Sequence, residues 1–113
     1  MKYIIAIIQP DRLEEVMDAL NKAEIHLITV SQVMGRGRQK GIAEVYRSRV
    51  ERGNLLQKTK IEIAVNDEYL NVAMAAIIHG ARTGNIGDGK IFVLDLQDCL
   101  RIRTGEEGVV AIG

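Results

Sequence analysis

Tyr3-Ile4-Ile5-Ala6-Ile7-Ile8 and Lys60-Ile61-Glu62-Ile63-Ala64-Val65 decide the fold, because each is an apolar strand-like run that leads into an amphipathic helical pattern. After the first run, Leu13, Val16, Met17 and Leu20 fall at i, i+3, i+4 and i+7, the spacing of one helix face. Asp11 and Glu14, behind Pro10, read as an N-cap and its capping-box partner. After the second run, Leu70, Ala73, Met74, Ile77, Ile78 and Ala81 form a wider apolar stripe behind an expected Asn66 cap. The chain therefore reads as a duplicated strand-helix unit.

A further strand near His26 to Gly35 completes the first unit, and Lys90 to Leu94 completes the second. Two such units give the split β-α-β plan, an α+β sandwich of the ferredoxin-like class. With both helices on one face of four strands, the other face and the sheet edges are left uncovered. Their largely apolar residues predict burial through self-association. Cys99-Leu100-Arg101-Ile102-Arg103 alternates apolar residues with arginine, a pattern that suits another strand with one buried side and one guanidinium-bearing side.

At 113 residues, 47% hydrophobic but only 4% aromatic, the chain fits one domain with an aliphatic core. Fifteen basic residues balance fifteen acidic ones, which removes a global electrostatic drive toward nucleic acid or anionic membranes. No apolar run approaches membrane-spanning length, and Met1-Lys2-Tyr3 leads straight into the first strand, so a soluble cytoplasmic protein without membrane insertion is expected. The single Cys99 has no disulfide or metal-motif partner and reads as a small buried hydrophobe. His26 and His79 match no catalytic or metal spacing.

Two segments carry chemistry. Thr83-Gly84-Asn85-Ile86-Gly87-Asp88-Gly89-Lys90 has three glycines and a lysine, the composition of a loop whose backbone N–H groups converge on phosphate. Gly84, Gly89 and Lys90 satisfy the P-loop spacing, yet Ile91 stands where a magnesium-binding hydroxyl should be. A P-loop also runs from strand to helix, the reverse of the order here, so a P-loop NTPase is excluded. An ordinary helix-to-strand turn also fits this composition, with Asp88 as a turn former or a base-side acceptor. The other segment, roughly 36 to 54, lacks periodicity and is longer than ordinary structureless connections. Arg36, Arg38, Lys40, Arg47, Arg49 and Arg52 outnumber Glu44 and Glu51 in it, so it reads as a docking or ligand-sensing loop or as a solvated hairpin.

Three blocks together resemble the nitrogen-regulatory PII signal-transduction proteins over essentially the whole chain. They are Gly35-Arg36-Gly37-Arg38-Gln39-Lys40-Gly41 with Tyr46-Arg47, then Lys58-Thr59-Lys60-Ile61-Glu62-Ile63, and Ala81 through Val93 with Arg101-Ile102-Arg103-Thr104-Gly105-Glu106-Glu107. The resemblance implies a single domain over 1–113 with a long loop at 36–55, a nucleotide loop at 82–90 and a C-terminal loop at 101–113. It implies a homotrimer whose inter-subunit clefts bind ATP or ADP competitively. Carried over by position, Gly87, Asp88, Gly89 and Lys90 would hold the phosphates, Thr29 with Glu62 would line the base side, and Gly37 and Arg38 would also bind the nucleotide. Arg101 and Arg103 would reach the phosphates from the adjacent chain, a role that suits paired guanidinium groups. Gln39 would meet a Mg2+ ion shared with the ATP phosphates and 2-oxoglutarate, with Lys40, Gly41 and Lys58 around that acid.

The same resemblance makes Tyr46, Arg47, Arg49 and Glu51 the partner-docking part of the long loop. Arg47 coincides with an arginine that relatives insert into an ammonium transporter, which would recruit the protein to the inner membrane. Nitrogenase or another nitrogen or carbon target is the alternative. Glu51 replaces a tyrosine that receives a nucleotidyl group in many relatives and Arg49 replaces a phosphorylated serine, so neither modification is expected here. Leu27 and Arg36 replace a family glycine and aromatic near the base pocket and the loop root. A small nucleotide-dependent transferase of the same fold is the rival class, but no nucleophile or base stands in a reactive setting. Nucleic-acid binding is disfavoured because the basic loop lacks interleaved aromatics.

Overall fold

The computed structural model describes residues 1–37 and 55–113. Strand β1 (Lys2–Ile8) leads through a single 3-10 turn (Pro10–Arg12) into α1 (Leu13–Lys22) and then β2 (Thr29–Gly35). Strand β3 (Leu56–Val65), a second 3-10 turn (Asp67–Tyr69), α2 (Leu70–Ala81) and β4 (Gly89–Asp95) repeat the plan, and a short α3 (Val109–Ile112) follows. The sheet order is β2-β3-β1-β4 with every neighbouring pair antiparallel. Each β-α-β unit is thus split by the central strand of the other, which is the expected ferredoxin-like plan.

Period-2 alternation sorts the strands into two faces. Ile4, Ala6 and Ile8 of β1 and Thr59, Ile61, Ile63 and Val65 of β3 are buried toward the helices. Val16 and Leu20 of α1 and Ala73, Ala76 and Ile77 of α2 close that core. The helices approach closely at Gly80, where an added Cβ would lie 2.6 Å from the Val16 backbone. Only a residue without a side chain allows that crossing.

The opposite face carries Tyr3, Ile5 and Ile7 on β1, Lys58, Lys60 and Glu62 on β3, Thr29 on β2, and Lys90, Phe92 and Leu94 on β4, as the strand registers require. In the single chain Phe92 and Leu94 remain 48% and 49% exposed. No helix among the described residues is long and apolar enough to cross a membrane.

Three local expectations are corrected. Neither Asp11 with Glu14 nor Asn66 caps a helix through its side chain. A 3-10 turn precedes each helix, and the backbone N–H groups of Arg12 and Tyr69 donate to the carbonyls of Gln9 and Asn66 instead. Asn66 Oδ1 is buried without a hydrogen-bond partner among the described residues. Finally, Arg101 to Thr104 form a turn and not a strand; Leu100 makes an isolated bridge to Glu107, and Ile102 is 95% exposed. Gly105 and Gly108, both at φ +77°, turn the chain back before it can reach a sheet edge.

Candidate functional site

The glycine loop is closed by one carboxylate. Asp88 Oδ2 accepts from the backbone N–H groups of Thr83 and Gly84, each at 2.8 Å, and Oδ1 accepts from the Thr83 hydroxyl at 2.5 Å. These bonds, that of the Thr83 hydroxyl first, hold the Asp88 carboxyl below its ordinary range. Gly84, Gly87 and Gly89 have φ of +91°, +106° and +107°. At Gly89 an added Cβ would stand 1.8 Å from the Ile7 carbonyl oxygen, so the loop enters β4 in direct contact with the β1 backbone.

Beyond this loop lies a cavity of about 510 Å³ lined by Ile7, Gly35, Arg36, Gly37, Lys58, Ile86, Gly87, Gly89, Lys90 and Phe92. It gathers Gly37, Lys58, Gly87, Gly89 and Lys90, five of the expected ligand residues, while the Asp88 carboxylate is turned to the loop's own amides. Lys58 is only 7% exposed, and burial lowers the pKa of its ammonium. Ile7 and Phe92 were not in the sequence-derived set. The signal for them was present in strand alternation, since Lys90 pairs with Ile7 and Phe92 with Ile5 on the open face.

A second cavity of about 380 Å³ is lined by Tyr3, Leu27, Ile28, Thr29, Glu62, Ala64, Cys99, Ala111 and Ile112. Thr29 and Glu62 come together here because they are cross-strand partners. Glu62 accepts a 2.6 Å hydrogen bond from the Tyr3 hydroxyl, and its other oxygen lies 3.9 Å from the Lys60 ammonium. Leu27, a departure noted in the sequence, forms part of the wall. Cys99 is half-buried and belongs to this wall instead of the core.

Arg101 stands beside this second cavity. Its guanidinium donates to Glu106 Oε1 at 2.5 Å and to the Val110 carbonyl at 3.1 Å, next to the wall residue Ala111. Arg103 is exposed. The two cavities share no lining residue, so on one chain the glycine loop is separated from the Thr29–Glu62 pair and from Arg101. Arg38, Gln39, Lys40, Gly41, Tyr46, Arg47, Arg49 and Glu51 lie outside the described residues. His26 meets Asn21 Oδ1 at 3.2 Å on the surface, and His79 is exposed.

A four-stranded antiparallel sheet with two helices on one face and a glycine loop at the entry to its edge strand defines a small α+β fold of the ferredoxin-like plan. The family model for the nitrogen regulatory protein P-II matches residues 1–106. The chain is 54% identical over 112 residues to nitrogen regulatory protein P-II 2 of Methanothermobacter thermautotrophicus, covering 99% of this chain and 97% of that one. It is 53% identical over 114 residues to nitrogen regulatory protein GlnK1 of Methanosarcina mazei, with the same coverages. The crystal structure of Arabidopsis thaliana PII bound to citrate superposes with a TM-score of 0.79 at 39% identity, covering 98% of this chain and 88% of that one. The chain belongs to the P-II family of nitrogen regulatory proteins.

Proposed function

We propose that this chain is a regulator, not an enzyme, that senses ATP and ADP together with 2-oxoglutarate and reports the result through its long loop. The observation that carries this reading is the division of the expected ligands into two non-overlapping cavities. A glycine loop with Lys90 is one half of a nucleotide site, and Thr29, Glu62 and Arg101 are the other. Two adjacent protomers bring unlike halves together, which a closed homotrimer accomplishes three times over by symmetry. The half-exposed Phe92 and Leu94 on the open sheet face give such an assembly apolar surface to bury.

Within the composite cleft, the backbone N–H groups around Gly87 and Gly89 and the Lys90 ammonium take the phosphates, with Arg101 and Arg103 completing the charge from the neighbouring chain. Lys58 takes a carboxylate of 2-oxoglutarate, its ammonium supplying charge-assisted hydrogen bonds from the wall of the cavity. The solved Arabidopsis thaliana relative holds citrate, which is in keeping with a site for a small acid. Among the described residues the 510 Å³ cavity offers Mg2+ no carboxylate. The ion would draw its oxygens from phosphates, the acid and the Gln39 amide, and would neutralise their charge.

ATP with Mg2+ and 2-oxoglutarate selects one arrangement of the long loop and ADP another. Tyr46, Arg47, Arg49 and Glu51 present that arrangement to a cytoplasmic face of an ammonium transporter, bringing a cytoplasmic protein to the membrane. The test is calorimetry with ATP, ADP and 2-oxoglutarate on wild type, Lys90→Ala and Arg101→Ala. Each variant alone should lose nucleotide binding. Subunit mixing of the two should restore intact clefts at roughly a quarter of the interfaces, as random cyclic assembly requires. Mixed trimers that stay as silent as the parents would refute a shared cleft.

A further inference from the structure

Tyr3 reads in the sequence as one more apolar strand position, yet its hydroxyl makes the shortest polar contact of the second cavity. It stands on β1 opposite Ala64 and Leu94 and reaches diagonally across the open face to Glu62, whose own register partners are Ile5 and Thr29. The 2.6 Å bond to Glu62 Oε2 is partly buried. A neutral phenol has one proton to donate, whereas an ionised carboxylate has lone pairs on both oxygens. Tyr3 thus engages one oxygen and restrains the plane of the group, and Lys60, 3.9 Å from Oε1, balances its charge without closing a short bond. The bond to Glu62, and then burial, raise the pKa of the phenol, so it remains a donor throughout the physiological range.

What remains is an oriented acceptor on the wall of a 380 Å³ cavity beside the Thr29 hydroxyl and the apolar surface of Leu27, Ile28 and Ala64. Such a wall suits a flat ring that carries an N–H donor on its rim. We propose that Tyr3 is a positioning residue for base selection, fixing the Glu62 carboxylate so that its second oxygen accepts a hydrogen bond from the exocyclic amino group of adenine. This rests on the nucleotide-sensor reading above. It adds a residue that acts on the ligand by orienting Glu62.

The experiment compares ATP with purine riboside 5′-triphosphate, which lacks the 6-amino group, by calorimetry on the assembled wild type, Tyr3→Phe and Glu62→Gln. Tyr3→Phe keeps the ring and removes the donor, and a matching thermal melt confirms that the fold is retained. Wild type should prefer ATP. Tyr3→Phe should weaken ATP about three- to tenfold, the range for one hydrogen bond, while leaving the des-amino nucleotide unchanged, so that the preference collapses. Glu62→Gln, which puts an amide in place of the acceptor carboxylate, should reduce the same preference. Equal weakening of both nucleotides by Tyr3→Phe would assign the tyrosine to packing and overturn the proposal, as would no change in either. Wild type that binds neither nucleotide would remove the sensor reading itself. Wild type that binds ATP as well as Tyr3→Phe does would remove only the role of Tyr3.

Discussion

Gly89→Ala is the substitution whose cost can be worked most directly from geometry. The added methyl would stand 1.8 Å from the Ile7 carbonyl oxygen, 2.9 Å from the Ile7 carbonyl carbon and 3.2 Å from Ile8 Cα. These are backbone atoms of a central strand that pairs with β4 at this point, Ile8 opposite Gly89 and Ile7 opposite Lys90. No side-chain rotation relieves the overlap, so the first rungs of the β1–β4 ladder must open. A strained backbone at φ +107° costs about 1–3 kcal/mol for a residue with a Cβ. One or two lost ladder hydrogen bonds add roughly 1 kcal/mol each, for a total of about 2–5 kcal/mol. Gly84→Ala is the internal control, because Gly84 has φ +91° but nothing within 4 Å of its added methyl. It should carry only the backbone contribution, again about 1–3 kcal/mol, without the lost ladder bonds. Urea unfolding at one fixed protomer concentration reads the difference as a shift in midpoint at constant slope. If Gly89→Ala proves no more costly than Gly84→Ala, the contact between loop and strand does not govern this corner of the sheet.

Two further perturbations test the packing and the loop. Gly80→Ala gains roughly 1 kcal/mol of helix propensity but forces a methyl to within 2.6 Å of the Val16 backbone. Overpacking of about 1–3 kcal/mol should win, and a thermal melt higher than wild type would contradict the close helix crossing. Asp88→Asn tests the loop through pH. The folded-state pKa of Asp88 is depressed by the Thr83 hydroxyl and amide, so its stabilisation is fully present above its unfolded pKa, about 3.9, and is lost as pH falls through the lower folded value. The stability gap between wild type and Asp88→Asn should stay level from neutrality to about pH 5 and narrow below about pH 4. A gap that persists undiminished into strong acid would show that the carboxylate charge does not organise the loop.

The core of the fold was legible because its signals are periodic and local. Ile4, Ala6 and Ile8 alternate along β1 and are all buried, and Val16 and Leu20 recur at helical spacing and close over them. Where reading failed, a local pattern needed a partner that it did not find. Arg101-Ile102-Arg103 alternates like a strand, but alternation specifies a strand only if an edge accepts it. Here Gly105 N–H donates back to the Arg101 carbonyl at 2.7 Å and Glu106 captures the guanidinium, so the segment satisfies itself as a turn. Asp11 and Asn66 are good cap residues by type. A 3-10 turn supplied backbone donors first, and the caps were not used.

The candidate site divides along the same physical line. Its glycines and lysines are visible in composition, since positive φ and point charge are properties of single residues. Ile7, Phe92 and Tyr3 are not visible that way, because their place depends on register. A slip of one residue between β1 and β3 would send Tyr3 to the helix side and leave Glu62 without its donor. The partition of the site residues between two cavities depends on position along the strands as well as on strand order: β2 ends at Gly35, which lines the first cavity with Lys90, whereas Thr29 at its start lines the second with Glu62. Adjacent strands lie about 4.8 Å apart, so roughly 14 Å of sheet separates the two edges. With Thr29 and Lys90 on opposite edge strands, one chain keeps these two residues on separate walls as long as the sheet stays paired. The same antiparallel order that makes the single domain stable leaves the two cavities apart on one chain, and the shared cleft proposed above needs a second copy of the chain to join them.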